Sequence, residues 1–321
     1  MREVGEGRAQ PAPPPVPAVI APAAVRDATP YLGRVLEHVA GERLRAARVL
    51  DPQGDPLLRD HRFDRYVLVP AVYYLEVAAE AAALLLPGTA PAELRDFRFS
   101  RALTLVRERR TLLTQADVLD VSPEAGAGPA RERRCRVRFF SRGGGGLTLH
   151  AEGVVALAPL PLRRATAPLP PLAWDERRPL RVARREDLYP RRFPNGPVFQ
   201  VVERMELGED HTARAALRRV QPLAPDTLLP LTLLDGAFQV DSATRSGFDR
   251  PSGLPHAFDS LRWRAGAAAL EAVTCLSHVG DSGTGVPGRI DFLAGDAGVV
   301  LQLSGITLTA PFSALWSGVP A

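Results

Sequence analysis

Lysine is absent from this chain of 321 residues, so all 40 of its basic side chains are arginines. A catalytic Schiff base and a P-loop both require a lysine amine, and both are therefore excluded. Only two cysteines occur, Cys135 and Cys275, far apart in the chain and in no metal-binding motif. Two thiols cannot build a disulfide scaffold, and we expect a protein of a reducing compartment.

Long apolar runs are also missing, because no uninterrupted stretch is long enough to span a membrane. Pro17 and Pro22 interrupt the apolar residues 16–25 near the N-terminus, which excludes the helical core of a signal peptide. Apolar residues make up 45% of the chain and charged residues 24%, as in globular proteins with a sizeable core. We therefore expect a soluble, cytoplasmic protein with no membrane partner and about two domains.

The basic side chains do not indicate a nucleic-acid partner. The formal net charge is only +4, acidic residues are interleaved with the arginine runs, and no RNA-binding motif is present. Solvated arginine faces are the simpler interpretation. No pair or cluster of histidines has metal-ligand spacing, so we expect no metal site. The histidines expected to be structural are His38, His150, His211, His256 and His278.

The chain divides into two halves of similar organisation, separated by segments rich in proline, alanine or arginine. The predicted segments are a linker at residues 1–28, an N-terminal half at 29–165, a linker at 166–181, a C-terminal half at 182–313 and a tail at 314–321. Each half combines short alternating strands with one long apolar helix.

The first predicted helix covers residues 70–86 and is apolar nearly all round, with Glu76 and Glu80 as its only charges. A helix that is apolar on every side is buried, and we expect Glu76 to bond to backbone or to arginine. Pro70 suits the first helical position. The second predicted helix covers about residues 231–244. The predicted strands are 97–106, 110–119, 134–140 and 147–156 in the first half, and 261–264, 272–278, 289–293 and 299–308 in the second.

Two constellations carry possible acid–base chemistry. His61 lies nine residues before Pro70, at the approach to the first helix, whose N-terminal N–H groups can hold a carbonyl oxygen. On the second helix, Asp235 and Gln239 are four residues apart and share a face among apolar neighbours. Burial there should raise the pKa of Asp235 toward that of a general acid. If the halves pack face to face, His61 and Asp235 form a base and an acid across an apolar cleft.

These segments resemble the dehydratase domain of type I polyketide synthases, over roughly residues 45–312. The family's His-x3-Gly-x4-Pro signature is matched by His61 and Pro70, but Arg65 stands where the family has glycine. Its Tyr-Gly-Pro-x-Phe segment is matched by residues 195–199, with Asn195 in place of tyrosine. The Asp-x-x-x-Gln motif is matched by Asp235 and Gln239, and residues 254–261 resemble the strand that follows.

The resemblance implies an α+β double hotdog, with two antiparallel sheets each wrapped around a buried central helix. It implies that His61 removes the α-proton of a β-hydroxyacyl thioester while Asp235 protonates the leaving hydroxyl. The residues implied to bind or orient the substrate are Gln239, Val67, Pro70, Asn195, Gly196, Pro197 and Phe199. No cofactor or metal is implied. The substrate would arrive on the phosphopantetheine arm of an acyl carrier protein, beside neighbouring polyketide synthase domains, and relatives are often homodimers. An arginine face could then serve as a docking surface for an acidic carrier protein.

Three alternatives remain open at the level of sequence. The same residue pair could close a ring by adding a remote hydroxyl to the new double bond. The fold would also suit a hotdog thioesterase, which releases free acid. Finally, Arg65 and Asn195 depart from the family pattern, and they leave room for a catalytically silent interaction module.

Overall fold

The computed structural model describes most of both halves of the chain. The described residues are 29–63, 66–105, 109–119, 132–143, 146–160, 170–174, 179–189, 192–209, 211–221, 227–248, 253–280 and 288–311. The predicted N-terminal linker and C-terminal tail lie outside these ranges, as do Arg65 and part of the predicted linker at 166–181.

Four α-helices and seventeen strands are formed by the described residues. The helices are α1 (Pro56–Asp60), α2 (Ala71–Leu85), α3 (Arg185–Leu188) and α4 (Leu231–Ser246). The strands of the first half are β1 (Arg34–Val39), β2 (Arg43–Leu50), β3 (Arg62–Phe63), β4 (Tyr66–Leu68), β5 (Thr89–Phe99), β6 (Thr104–Leu105), β7 (Arg110–Leu119), β8 (Arg133–Gly143) and β9 (Gly146–Pro159). Those of the second half are β10 (Arg181–Arg184), β11 (Val202–Leu207), β12 (Thr212–Arg218), β13 (Gly253–Trp263), β14 (Ala272–His278), β15 (Arg289–Leu293), β16 (Val299–Ser304) and β17 (Thr307–Pro311). No described helix is both long enough and apolar enough to cross a bilayer.

Each half is an antiparallel sheet packed around one long helix, which is the expected double-hotdog arrangement. The strand order is β1-β2-β7-β8-β9-β5 in the first half and β13-β16-β15-β14-β12-β11-β10 in the second, where β17 also pairs with β13. The two sheets are not separate, because β5 pairs with β13 at the boundary, with Phe97 opposite Phe258. One fourteen-stranded sheet therefore runs through both halves, and β3, β4 and β6 form a small second sheet beside it.

The first central helix, α2, is buried along nearly its whole length, as its apolar sequence predicts. It begins one residue later than predicted, because Pro70 is the N-cap rather than the first helical residue. Both carboxylates of α2 accept backbone N–H groups from distant segments. Glu76 accepts from Leu228 and Leu229 at 2.6 and 3.0 Å, which confirms that it bonds to backbone. Glu80 accepts from two N–H groups at Tyr31 and Leu32.

The second central helix, α4, follows directly from the segment that Glu76 holds. It starts at Leu231 and ends at Ser246, two residues beyond the predicted end. A methyl group at Gly236 would lie 2.4 Å from the side chain of Val201, the residue before β11. Glycine therefore lets α4 approach the large sheet closely at this point in the second half. The residue before it is Asp235, and this close approach therefore fixes the depth at which that carboxylate sits.

The predicted strand 299–308 divides into β16 and β17, and the predicted strand 97–106 is likewise wrong as a single strand. The strand in this region, β5, runs from Thr89 to Phe99 and stops there. The N–H groups of Ser100 and Arg101 both turn toward the carbonyl of His150 in β9, at 2.8 and 3.3 Å. Two consecutive N–H groups that converge on one acceptor break the alternation of a ladder, so the chain leaves the large sheet and returns as β6 in the small one.

Candidate active site

His61 is held by Leu68 through both its backbone and its ring. The Leu68 N–H donates to the carbonyl of His61 at 3.1 Å, and Nδ1 of the imidazole lies 2.9 Å from the Leu68 carbonyl. A carbonyl can only accept, so the proton of the neutral ring sits on Nδ1 and Nε2 keeps its lone pair. Phe63 and Phe199 pack edge-on against the imidazole, both with ring centroids 5.3 Å away. The ring is thereby fixed in place with its basic nitrogen directed away from Leu68.

Asp235 faces this nitrogen from the other half of the molecule. Its Oδ1 lies 3.7 Å from His61 Nε2, and the two residues are 5% and 7% exposed. Burial raises the pKa of the Asp235 carboxyl above its ordinary value, although the His61 charge and a bond from Gln239 oppose the shift. At 3.7 Å the two atoms are too far apart for a direct hydrogen bond. The two side chains are therefore close enough to act on one substrate without being bonded to each other.

Gln239 is fully bonded and fixes the other carboxylate oxygen. Its Nε2 donates to Asp235 Oδ2 at 3.0 Å and lies 3.1 Å from the Phe199 carbonyl, which can also accept. Its Oε1 accepts from the Tyr189 hydroxyl at 2.5 Å. Since the Phe199 carbonyl can only accept, the NH2 group of the amide points toward it and Asp235, and the Tyr189 hydroxyl donates to Oε1. The predicted orienting role of Gln239 is consistent with this geometry.

Sequence reasoning missed Tyr189. Burial raises the pKa of this phenol, so it stays a neutral donor at physiological pH. Asn195 stands where the resembled family has tyrosine, and Tyr189 lies six residues before it. The sequence therefore contained a signal for Tyr189, because a tyrosine nearby in the same segment can place its phenol in the site from another position.

The turn at residues 195–199 contacts His61 and the Gln239 amide that holds Asp235. Phe199 packs on His61, and its carbonyl lies within reach of the Gln239 amide. Gly196 donates its N–H to the carbonyl of Asp60, the residue before His61, at 2.6 Å. Pro197 starts a short 3-10 turn. Asn195 is buried, and its carbonyl accepts from the Gln200 side chain at 3.0 Å.

The predicted carbonyl-binding groups lie on β4 and at the start of α2. Val67 pairs with Leu105, and the N–H groups of Leu68 and Val69 already donate to His61 and Leu103. The first turn of α2 behind Pro70 differs, because the N–H groups at Ala71 and Val72 have no acceptor within the helix. These are the better placed donors for a substrate carbonyl, and the role of Val67 stays a prediction.

The fold and this geometry allow a comparison with known proteins. The sequence model described as "Polyketide synthase dehydratase domain" matches residues 29–142. The resemblance to polyketide synthase dehydratases is confirmed. No curated protein sequence matches the chain.

Solved dehydratase domains have the same fold at low sequence identity. The dehydratase domain from the CurF module of the curacin polyketide synthase is 20% identical, with a TM-score of 0.69 over 88% of this chain and 100% of that one. The CurK dehydratase domain is 21% identical, with a TM-score of 0.69 over 89% and 99%. The dehydratase domain of PpsC from Mycobacterium tuberculosis is 21% identical, with a TM-score of 0.66 over 87% and 98%.

Proposed function

We propose that the protein dehydrates a β-hydroxyacyl thioester to an α,β-unsaturated thioester in polyketide biosynthesis. The observation that carries the proposal is the buried pair itself, with His61 Nε2 3.7 Å from Asp235 Oδ1 across the two halves. The matched structures include two inactive mutants of the CurK dehydratase, one replacing a histidine and one an aspartate. The same two residue types meet in this chain.

The elimination uses one group as base and the other as acid. Nε2 of His61 takes the α-proton, and the electrons of that C–H bond form the new double bond. The bond from the β-carbon to oxygen breaks, and the hydroxyl leaves as water with the proton of Asp235. The raised pKa of Asp235 favours the protonated carboxyl that this step requires. Passing a proton from His61 back to Asp235 restores the starting state, so the reaction needs no cofactor.

The remaining site residues orient His61, Asp235 and the substrate. Gln239 holds Asp235 with Oδ1 toward the substrate, and the free N–H groups in the first turn of α2 would stabilise charge on the thioester carbonyl. The substrate would be carried on the phosphopantetheine arm of an acyl carrier protein beside other synthase domains in the cytoplasm. The similar CurF and CurK domains are dehydratase domains of synthase modules, which supports a setting beside other synthase domains.

The test uses a β-hydroxyacyl thioester on an acyl carrier protein, with product mass and free thiol measured together. We expect loss of one water without thiol release, and loss of this activity by at least about a thousandfold in His61→Phe and Asp235→Asn. His256→Phe and Asp259→Asn are matched controls, because both residues are exposed and lie away from the pair. Parent-level dehydration in either site variant would refute the proposal.

The same assay separates the alternative reactions. Release of thiol and free acid would identify a thioesterase. A synthetic enoyl thioester with a distal alcohol, converted to a cyclic product without change of mass, would identify ring closure. If none of these substrates is converted, the result would indicate an interaction module. A buried acid and base 3.7 Å apart favour catalysis over this alternative.

A further inference from the structure

We propose that Asp60 is a positioning residue that sets His61 against Asp235, by holding the turn at residues 195–199 of the second half. The inference builds on the proposed dehydration, because it concerns the geometry of the same pair. Asp60 is the last residue of α1 and directly precedes His61. It is 5% exposed, although it carries a charge and lies where the two halves meet.

Asp60 bonds to the turn through both its side chain and its backbone. Oδ2 accepts from the Val198 N–H at 3.0 Å, and the Asp60 carbonyl accepts from the Gly196 N–H at 2.6 Å. The other carboxylate oxygen, Oδ1, accepts from the Arg59 side chain at 2.9 Å. Two hydrogen bonds from one residue to two points of the turn fix its distance and its rotation, which a single bond cannot do.

Close packing reinforces these bonds. A methyl group added at Gly196 would lie 2.7 Å from Cγ and 2.9 Å from Cα of Asp60. No real side chain tolerates such contacts with a backbone atom, so only glycine allows the turn to reach α1. The Gly-Pro sequence is therefore needed for contact with Asp60, in addition to its tendency to form a turn.

The turn in its place contacts His61 directly and Asp235 through Gln239. The Phe199 ring packs edge-on against the His61 imidazole, with 66° between the planes. The Phe199 carbonyl lies 3.1 Å from Nε2 of Gln239, the amide that holds Asp235. A displacement of the turn would move the packing surface of the base and the support of the acid together. Asp60 is thus linked to Asp235 through the turn, and to His61 both through the turn and through the chain.

The chemistry of this contact predicts that residue 60 must supply a hydrogen-bond acceptor, and that this acceptor need not be charged. The side chain of Asp60 accepts from one neutral backbone N–H, that of Val198, and a side-chain amide oxygen can also satisfy this donor. The Gly196 N–H bonds to the backbone carbonyl of residue 60, which a side-chain substitution does not remove. Asp60→Asn should therefore keep dehydration within about threefold of the parent. Asp60→Leu removes the acceptor at similar size and should lower kcat by about tenfold to a hundredfold with KM within about twofold, since a small misplacement of reacting groups has effects of this size.

Two further variants separate positioning from stability. Arg59→Gln removes the ion pair at the half-exposed Arg59 and should leave kcat unchanged. Gly196→Ala displaces the turn from the other side and should lower kcat as Asp60→Leu does, which keeps the test valid if that variant folds poorly. Melting temperatures are measured beside kcat. A lowered melting temperature with parent-level kcat in folded Asp60→Leu would overturn the proposal, as would equal losses in Asp60→Asn and Asp60→Leu.

A readout without turnover distinguishes this proposal from the proposed function. The NMR signals of the His61 ring are recorded at one fixed pH, with and without Asp235→Asn, in the parent and in Asp60→Leu. In the parent we expect the Asp235 substitution to change the chemical shifts of the His61 ring, because the groups lie 3.7 Å apart. In Asp60→Leu this change should shrink by at least half. A change as large as in the parent would overturn the positioning role, whereas absent parent activity with a reduced change would refute the dehydration alone.

Discussion

The two central helices both bury carboxylates, but they bond them differently. On α2, both oxygens of Glu76 and both of Glu80 accept backbone N–H groups. On α4, Gln239 bonds one oxygen of Asp235, while the other faces His61 at 3.7 Å, beyond hydrogen-bond distance. Burial raises the pKa of all three carboxyl groups. A raised pKa therefore does not by itself identify the reactive group, and the arrangement of hydrogen bonds does.

The hydrogen bonds distinguish the carboxylates that stabilise the fold from the carboxylate that we propose takes part in the reaction. Glu80 fixes the segment at Tyr31 and Leu32 against the first helix, and Glu76 fixes the residues that lead into α4. Carboxylates whose oxygens are all engaged by fixed donors stabilise the structure and have no position left for a substrate. In contrast, Oδ1 of Asp235 faces Nε2 of His61, and a substrate hydroxyl can bind between these two side chains.

The largest expected effect is on stability, in the variant Glu80→Ala. It leaves the buried N–H groups at Tyr31 and Leu32 without their acceptor, at about 1–3 kcal/mol for each group. We expect the free energy of unfolding to fall by about 4 kcal/mol in urea titrations at pH 7. Glu42→Ala is the matched control, because Glu42 is exposed, and it should change stability by less than about 0.5 kcal/mol. Similar losses in both variants would remove the distinction between the two kinds of carboxylate.

The second expected effect is a pH dependence of stability. Burial raises the pKa of Glu76 to about 7 and that of Glu80 to about 8, from an ordinary value of 4.5. Between pH 4.5 and 8 the folded state thus keeps protons that the unfolded state has released, and the free energy of unfolding falls as pH rises. We expect the decrease to extend across this whole window, since each unit by which a pKa is raised is worth about 1.4 kcal/mol. Glu80→Gln should flatten the slope. An equal slope in parent and variant would show that other groups cause it.

The smallest expected effects are on catalysis, along the line from Tyr189 to Asp235. Gln239→Leu removes the donor to Asp235 and should lower kcat about thirtyfold, or about 2 kcal/mol. Tyr189→Phe removes the hydroxyl that donates to the amide oxygen, together with its longer bonds to Phe199 and Val202, and should lower kcat about threefold. Tyr74→Phe is the control, because its buried hydroxyl has no partner among the described residues. If Tyr189→Phe and Tyr74→Phe behave alike, the tyrosine does not orient Gln239.

Local patterns predicted the elements that depend on neighbouring residues. The apolar run from Ala71 and the bracketing prolines define α2 to within a residue, and the run from Leu231 defines α4 nearly as well. Strand limits were harder, because β5 ends where the His150 carbonyl draws two N–H groups out of the ladder. That acceptor is about 50 residues away in the chain, so no local pattern contains it.

The candidate site shows the same division. The motif residues His61, Asp235 and Gln239 were identified from the sequence, and the fold brings them together. Tyr189 and Asp60 were not, since a lone tyrosine and a lone aspartate carry no pattern. Their importance comes from the partners they meet, Gln239 in one case and the turn containing Gly196 in the other.

The sequence alone determined which side chains could supply acid and base, that lysine chemistry is impossible, and that two long helices would be buried. These properties follow from residue identity and from the periodicity of apolar positions along a helix. The tertiary structure decided which nitrogen of His61 is free, which oxygen of Asp235 is left open and which residues hold the pair together. The first two choices are made by hydrogen bonds to residues seven and four positions away, which the local backbone conformation brings into range. Only the packing of the two halves places His61 and Asp235, 174 positions apart in the chain, within 3.7 Å of each other.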